Sequence, residues 1–298
     1  MPMGTESLDQ RYKALDTRSG REVVSLILDA QQRGVEAVRR SAGAIAEAAE
    51  AMAVRLSGSG DGRIVYAGAG TSIRLGVQDG VELTPTFGWP SERLDFVIAG
   101  GDAALTRAIE GAEDDGDAAR ACIEAIGVGA ADVCIALSAS GRTPYTCAAA
   151  RAAHQRGALT IAIANNAGAV LLDAADHPIL IDSGAEPVAG STRMTAGTTQ
   201  KIVLNLLSTV AMVRLGRVYD GMMVDLVATN DKLAERARDM VRAIANVDAA
   251  AARRALDAAN GHVKLAALLA RGLTTADGQA LLDRHAGDLR AALAELGG

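Results

Sequence analysis

Apolar residues recur at helical spacing from residue 21 to 56, first as Val24, Ile27 and Leu28 and then as Val35, Val38, Ile45, Ala49, Met52 and Val54, which predicts two helices. Gly58, Gly60 and Gly62 end that pattern. The next segment, Arg63-Ile64-Val65-Tyr66-Ala67-Gly68, is a short apolar run closed by a glycine, as expected of a strand buried on both faces of a parallel sheet. Runs of the same kind follow at 94–99, 132–137, 159–164 and 179–181, and helical patterns at 103–114, 117–126 and 145–156 lie between them. This alternation implies right-handed crossovers and an α/β fold, a doubly wound five-stranded parallel sheet flanked by helices. Residues 194–215 predict one long, largely buried helix, and beyond Asp231 an Ala-, Arg- and Asp-rich stretch carries no strand signal. Gly261, Gly272 and Gly287 divide that stretch into short helical pieces. The expected organisation is an N-terminal helical segment packing on the core (1–57), a sheet domain (58–240) and a small C-terminal helical module (241–298).

Composition narrows the function classes. With 298 residues, 49% hydrophobic and 22% charged, the chain can bury a substantial core and is neither disordered nor fibrous. Thirty basic against 36 acidic residues give a net charge of −6, and no run of Lys and Arg stands out. A nucleic-acid or anionic-membrane surface is therefore not expected, and an anionic ligand must be held locally. Cys122, Cys134 and Cys147 have neither disulfide-framework nor metal-ligand spacing and read as reduced thiols in apolar segments. Residues 1–16 contain no apolar stretch resembling a signal peptide, and nothing downstream approaches a membrane span, so a cytoplasmic location is expected.

Open parallel sheets bind ligands at the carboxyl ends of their strands, and two segments there carry chemistry. Gly68-Ala69-Gly70-Thr71-Ser72 follows the first strand and opens a helix, so glycines, hydroxyls and unpaired helix N–H groups converge. A tight turn with a helix cap and no ligand fits these residues equally well. It is not a dinucleotide fingerprint, because no third glycine follows at the required spacing. Ser138-Ala139-Ser140-Gly141-Arg142-Thr143-Pro144 is the stronger signal. Thr143 and Pro144 mark a helix start, and the hydroxyls of Ser138, Ser140 and Thr143 around Gly141 fit a phosphate held by dipoles without a lysine.

That loop resembles the Ser-x-Ser-Gly-x-Thr hallmark of SIS (sugar isomerase) phosphosugar-binding domains. A closer likeness emerges with Gly68-Ala-Gly-Thr-Ser-x-Arg-Leu-Gly76, Glu82, Pro85-Thr-Phe-Gly88, Ile109-Glu-Gly-Ala-Glu-Asp114, Gly190-Ser-Thr-Arg-Met194, Ala196-Gly-Thr-Thr-Gln-Lys201 and the stretch from Asn205 to Thr209. Together these resemble the N-acetylmuramic acid 6-phosphate etherases, relatives of the glucokinase regulatory protein. The likeness covers most of residues 60–240, and the helical tail with Leu282-Asp-Arg-His-Ala-Gly287 is similar to the family's C-terminal module.

The resemblance implies an SIS-type sheet and a homodimeric lyase that takes a phosphorylated amino sugar and needs neither metal nor cofactor. The reaction converts N-acetylmuramic acid 6-phosphate to N-acetylglucosamine 6-phosphate and D-lactate. Its chemistry follows from elementary considerations: in the open-chain sugar the C2 hydrogen is alpha to an aldehyde, so a carboxylate can remove it. A carboxylic acid then protonates the ether oxygen leaving C3, and water adds to the unsaturated aldehyde. By resemblance Glu82 is the acid and Glu113 the base, although the two roles are exchangeable; Glu110 lies one helical turn before Glu113. Gly70, Thr71, Ser72, Ser138, Ser140, Gly141 and Thr143 are expected around the sugar phosphate, with Ser191, Thr192 and Arg193 completing the site. Arg193 is either a ligand cation or one half of a structural ion pair, Asn230 and Lys232 are expected at the site edge, and His285 is a candidate to approach a neighbouring subunit's site.

Two departures from the family pattern bear on substrate identity. Ile73 stands where the family has glycine and is expected to intrude on ligand space, and Thr195 replaces a lysine beside the phosphate. Two other functions fit the same loops: a phosphosugar-sensing regulator without catalysis, and an aldose–ketose phosphosugar isomerase. A regulator has no need of both Glu82 and Glu113, and an isomerase needs no acid at C3.

Overall fold

The computed structural model describes residues 4–58 and 60–297. Residues 1–3, Ser59 in the glycine-rich break and Gly298 belong to the expected segments above but lie outside the described residues.

The chain divides into two units, one built from residues up to Gly80 together with Glu92–Ser208, the other from Val81–Ser91 and the chain from Thr209 onward. The first unit opens with α1 (Gly20–Arg40) and α2 (Ala42–Gly58). Helix α1 starts at a capping box in which Ser19 and Glu22 satisfy each other's backbone amides. Five strands then form one parallel sheet: β1 (Ile64–Gly68), β2 (Leu94–Ile98), β3 (Val133–Ser138), β4 (Leu159–Ala164) and β5 (His177–Leu180), in spatial order β2-β1-β3-β4-β5. All residues of β1, β3 and β4 are buried, which accounts for their uninterrupted apolar runs. One face is covered by α4 (Gly116–Ala125) and α5 (Pro144–Gln155), where Val65, Ala67, Val97 and Cys134 pack with Ala119, Ile123, Ala149 and Ala153. Burial pushes the Cys134 thiol up to about 12, consistent with an inert structural cysteine.

The strand order reverses between β1 and β3, the point at which open parallel sheets bind ligands beyond the carboxyl ends of their strands. Helix α3 (Gly70–Phe87) leaves β1 there, α5 leaves β3, and the long helix α6 (Thr195–Arg214) follows β5 in the chain. The helical reading of 103–114 is corrected. The segment forms two short 3-10 turns, Asp102–Leu105 and Ala112–Asp114, with Gly100, Gly101 and Gly111 at positive φ. Its carbonyls are met from outside rather than within a helix, since the Arg74 guanidinium donates to Ala104 O through Nε (3.0 Å) and Nη2 (2.8 Å), and to Arg107 O (3.0 Å).

The second unit contains the short helices α7 (Asp231–Ala245), α8 (Ala249–Ala258), α9 (Val263–Ala270), α10 (Thr275–Arg284) and α11 (Leu289–Glu295). It has its own core, including Met240, Val241, Ile244, Leu256, Leu268, Leu281 and Leu293. No helix among the described residues is long and apolar enough to cross a membrane.

Candidate active site

The serine loop between β3 and α5 is preorganised by its own hydroxyls. Ser138 Oγ accepts from the Gly141 amide (3.0 Å) and lies 2.9 Å from Thr143 Oγ1 and 3.3 Å from Ser140 Oγ. Ser140 Oγ in turn accepts from the Arg142 amide at 3.2 Å. Ser138 is buried and shapes the loop, whereas Ser140 and Thr143 are partly open at the start of α5, where unpaired amides and the helix dipole favour an anion. Gly141 is required on two counts: its φ is +64°, and a Cβ there would stand 2.2 Å from the Ala169 Cβ. Gly141→Ala is accordingly expected to destabilise the protein by at least about 2 kcal/mol, the combined cost of a strained left-handed residue and overpacking. An unchanged midpoint in denaturant unfolding would show that residues 164–169 yield instead.

The loop is tied to two other segments through residues that sequence reasoning overlooked. Asn166, just past β4, donates from Nδ2 to Ala139 O and to Thr5 Oγ1, both at 2.9 Å, and its Oδ1 accepts from the Thr5 amide at 2.9 Å. Thr5 is fully buried, and its carbonyl accepts from the Gly190 amide at 3.0 Å. The amino-terminal turn thus links the serine loop to the 190–193 loop. Glu6, Ser140, Arg142, Asn166 and Asp182 line a cleft of about 240 Å³ at this end of the sheet. Arg142 is exposed there; as a basic residue inside the loop motif it had a legible signal.

Thr71 joins the same region, since a Cβ on Gly197 of α6 would stand 3.3 Å from Thr192 O and 3.5 Å from the Thr71 methyl. Ser191 and Thr192 are partly buried, and Arg193 is exposed with no ion pair among the described residues. The first amides of α6 are already occupied: the buried Glu186 carboxylate accepts from Thr195 N (2.9 Å) and Ala196 N (2.8 Å). No local pattern marked Glu186, because its partners lie nine and ten residues away. Gly70, at φ +55°, begins α3, and Ser72 is buried in its first turn.

Both residues that depart from the family pattern are buried. Ile73 is fully buried, and its Cβ lies 3.4 Å from where a Gly68 Cβ would be. Thr195 is fully buried with its methyl facing Gly34 of α1, where a Cβ would meet it at 2.8 Å. Other residues of the likeness make contacts within the fold. Asn205 and Ser208 donate to the buried Asp79 at 2.7 and 3.1 Å, and Tyr66 OH donates to it at 2.8 Å. Burial pushes that carboxyl above its ordinary range while the three donors oppose the shift. Asn230 serves as the cap of α7 by accepting from Leu233 N at 3.0 Å, and His285 bonds Glu295 at 2.6 Å within the tail.

The glutamates occupy different settings. Glu113 is exposed in the second 3-10 turn, which Ala112 anchors on the cluster containing Ala69 and Tyr145, residues adjoining the two candidate loops. A Cβ on Gly116 would stand 3.6 Å from Pro144 O, so the Glu113 segment runs beside the first turn of α5. Glu82 is exposed near the carboxyl end of α3 and belongs to the second unit.

A model of the N-terminal SIS domain of glucokinase regulatory protein matches residues 44–153, and an SIS domain model matches residues 125–212. The N-acetylmuramic acid 6-phosphate etherase of Deinococcus radiodurans is 46% identical over 99% of this chain and 96% of that protein. The chain belongs to the N-acetylmuramic acid 6-phosphate etherase family. The etherase of Rubrobacter xylanophilus is 44% identical over 98% of this chain and 96% of its own length. Among solved structures, a phosphoheptose isomerase from Francisella tularensis superposes with a TM-score of 0.48 at 19% identity, covering 67% of this chain and 99% of that one.

Proposed function

We propose that the protein cleaves the D-lactyl ether of N-acetylmuramic acid 6-phosphate, adding water to release N-acetylglucosamine 6-phosphate and D-lactate. The observation that carries this reading is family membership over 99% of the chain. The phosphate rests on the amides and hydroxyls at the start of α5, with Ser140, Gly141 and Thr143 in contact and Ser138 shaping the loop. Gly70, Thr71, Ser72, Ser191, Thr192 and Arg193 complete the sugar-phosphate side. Glu113 takes the C2 proton of the ring-opened sugar, and the electron pair moves to expel the C3 oxygen. Glu82 gives that oxygen its proton, so D-lactate leaves as the free hydroxy acid. Water then adds at C3 of the unsaturated aldehyde, and C2 regains a proton. Atoms balance with one water consumed per ether cleaved, and each carboxyl group performs a role suited to general acid–base chemistry.

The working form in this reading is a cytoplasmic homodimer. The exposed Val24, Leu28 and Val35 along α1 offer apolar surface for a second copy, and the reduced, apolar settings of the cysteines suit a cytoplasmic protein.

The test is incubation with N-acetylmuramic acid 6-phosphate in D₂O while lactate and C2 deuterium are followed. Lactate release with label at C2 is expected. Label without lactate points to isomerisation, and tight binding with neither points to a sensor; each of these outcomes overturns the lyase.

A further inference from the structure

The second unit contains both Glu82 and the tail helices, and the end of the helix carrying Glu82 is held at successive positions by the chain that leads into the tail. Arg217 Nη1 donates to Phe87 O (2.7 Å) and Gly88 O (3.0 Å), two carbonyls at the end of α3. The same guanidinium lies over the Trp89 ring, 5.2 Å from its centroid, and 3.9 Å from Asp225. Val227 N donates to Pro85 O at 3.2 Å. Gly88 sits at φ +60° with the Asp225 carbonyl so close that a Cβ would stand 2.5 Å from it. Asp225 is joined in turn to α9, because Lys264 Nζ donates to its Oδ2 at 2.6 Å from a side chain that is only 10% exposed.

This arrangement is more specific than packing requires. The end of α3 has carbonyls without helical partners, and a cation there is favoured by the dipole. The Lys–Asp pair, with Lys264 buried and Asp225 partly so, contributes little net stability by contrast, since desolvation of the charges offsets their attraction. The polar chain Lys264–Asp225–Arg217 ends on the helix turn next to Glu82. We propose that Arg217, steadied by Asp225 and Lys264, is a positioning residue for Glu82, and that one task of the tail helices is to fix the helix end from which the acid acts. This inference rests on the reading of Glu82 as the acid for the departing oxygen.

Positioning predicts a signature that loss of scaffold does not give. Removal of the C2 hydrogen precedes protonation of the leaving oxygen, so displacing Glu82 alone uncouples the two readouts. With N-acetylmuramic acid 6-phosphate in D₂O, Arg217→Ala is expected to lower lactate release on the order of 10- to 100-fold, the penalty of misplacing a catalytic group by about 1 Å. Deuterium entry at C2 of unconverted substrate should stay near the parental rate. Arg217→Lys retains the charge and is expected to recover part of the lactate release. If Arg217→Ala melts below the assay temperature, Arg217→Lys and the paired Asp225→Leu with Lys264→Met, which removes both charges together, carry the test with the same uncoupling expected. Lactate and label falling in parallel, or neither changing, overturns the proposal. Glu82→Gln run alongside separates the two readings. Normal lactate release from Glu82→Gln removes the acid reading itself, whereas loss there with unaffected Arg217 variants removes only the positioning role.

Discussion

Glu113→Gln is expected to lose both lactate release and C2 hydrogen exchange, each by roughly 10²- to 10⁴-fold, the usual contribution of a positioned general base. The substitution keeps the shape of the side chain and removes only its capacity to take a proton. Glu113 is exposed in a turn held by Ala112, so folding stability should change by no more than about 0.5 kcal/mol. The two rates fall together because no later step proceeds until C2 has given up its hydrogen. Substrate affinity should change little if the serine loop holds the phosphate, so KM is expected to stay near the parental value while kcat falls. A parental rate of exchange in this variant would remove Glu113 from the role. Glu110, three residues earlier, would then be the next carboxylate to replace.

The strands were legible because each is a short apolar run bounded by turn residues, and burial on both faces leaves no alternation to confuse the reading. The serine loop was legible for a related reason: its hydroxyls, glycine and helix-start proline are neighbours in sequence and bond mainly with each other. Segment 103–114 was misread because Ala104, Ile109 and Ala112 mimic helical spacing, while the contacts that fix the backbone come from Arg74, some 30 residues away. Thr5 and Asn166 are 161 residues apart, and only the folded sheet brings them together. Ile73 and Thr195 show the converse limit. A departure from a family motif is visible in the sequence, whereas the burial of both of these side chains is set by the fold. Local chemistry thus survives in the sequence, while the partners that orient it depend on chain crossing.

Glu82→Gln is expected to separate the two halves of the reaction. Lactate release should fall by roughly 10²- to 10⁴-fold, since the oxygen leaving C3 is a poor leaving group without a proton donor. C2 exchange should persist, because the base proposed to remove that hydrogen is Glu113. In D₂O the unconverted substrate would therefore accumulate deuterium at C2 faster than lactate appears, reversing the order expected of the parent enzyme. Glu82 is exposed on α3, and the buried Leu83 beside it provides the packing of that turn, so the variant should unfold at the parental midpoint. The contrast with Glu113→Gln is what makes the assignment testable. If the two roles are exchanged, Glu82→Gln abolishes label and lactate alike, and Glu113→Gln becomes the variant that labels C2 without releasing lactate. If both variants retain lactate release, neither carboxylate works on the ether and the lyase mechanism has to be sought at other side chains.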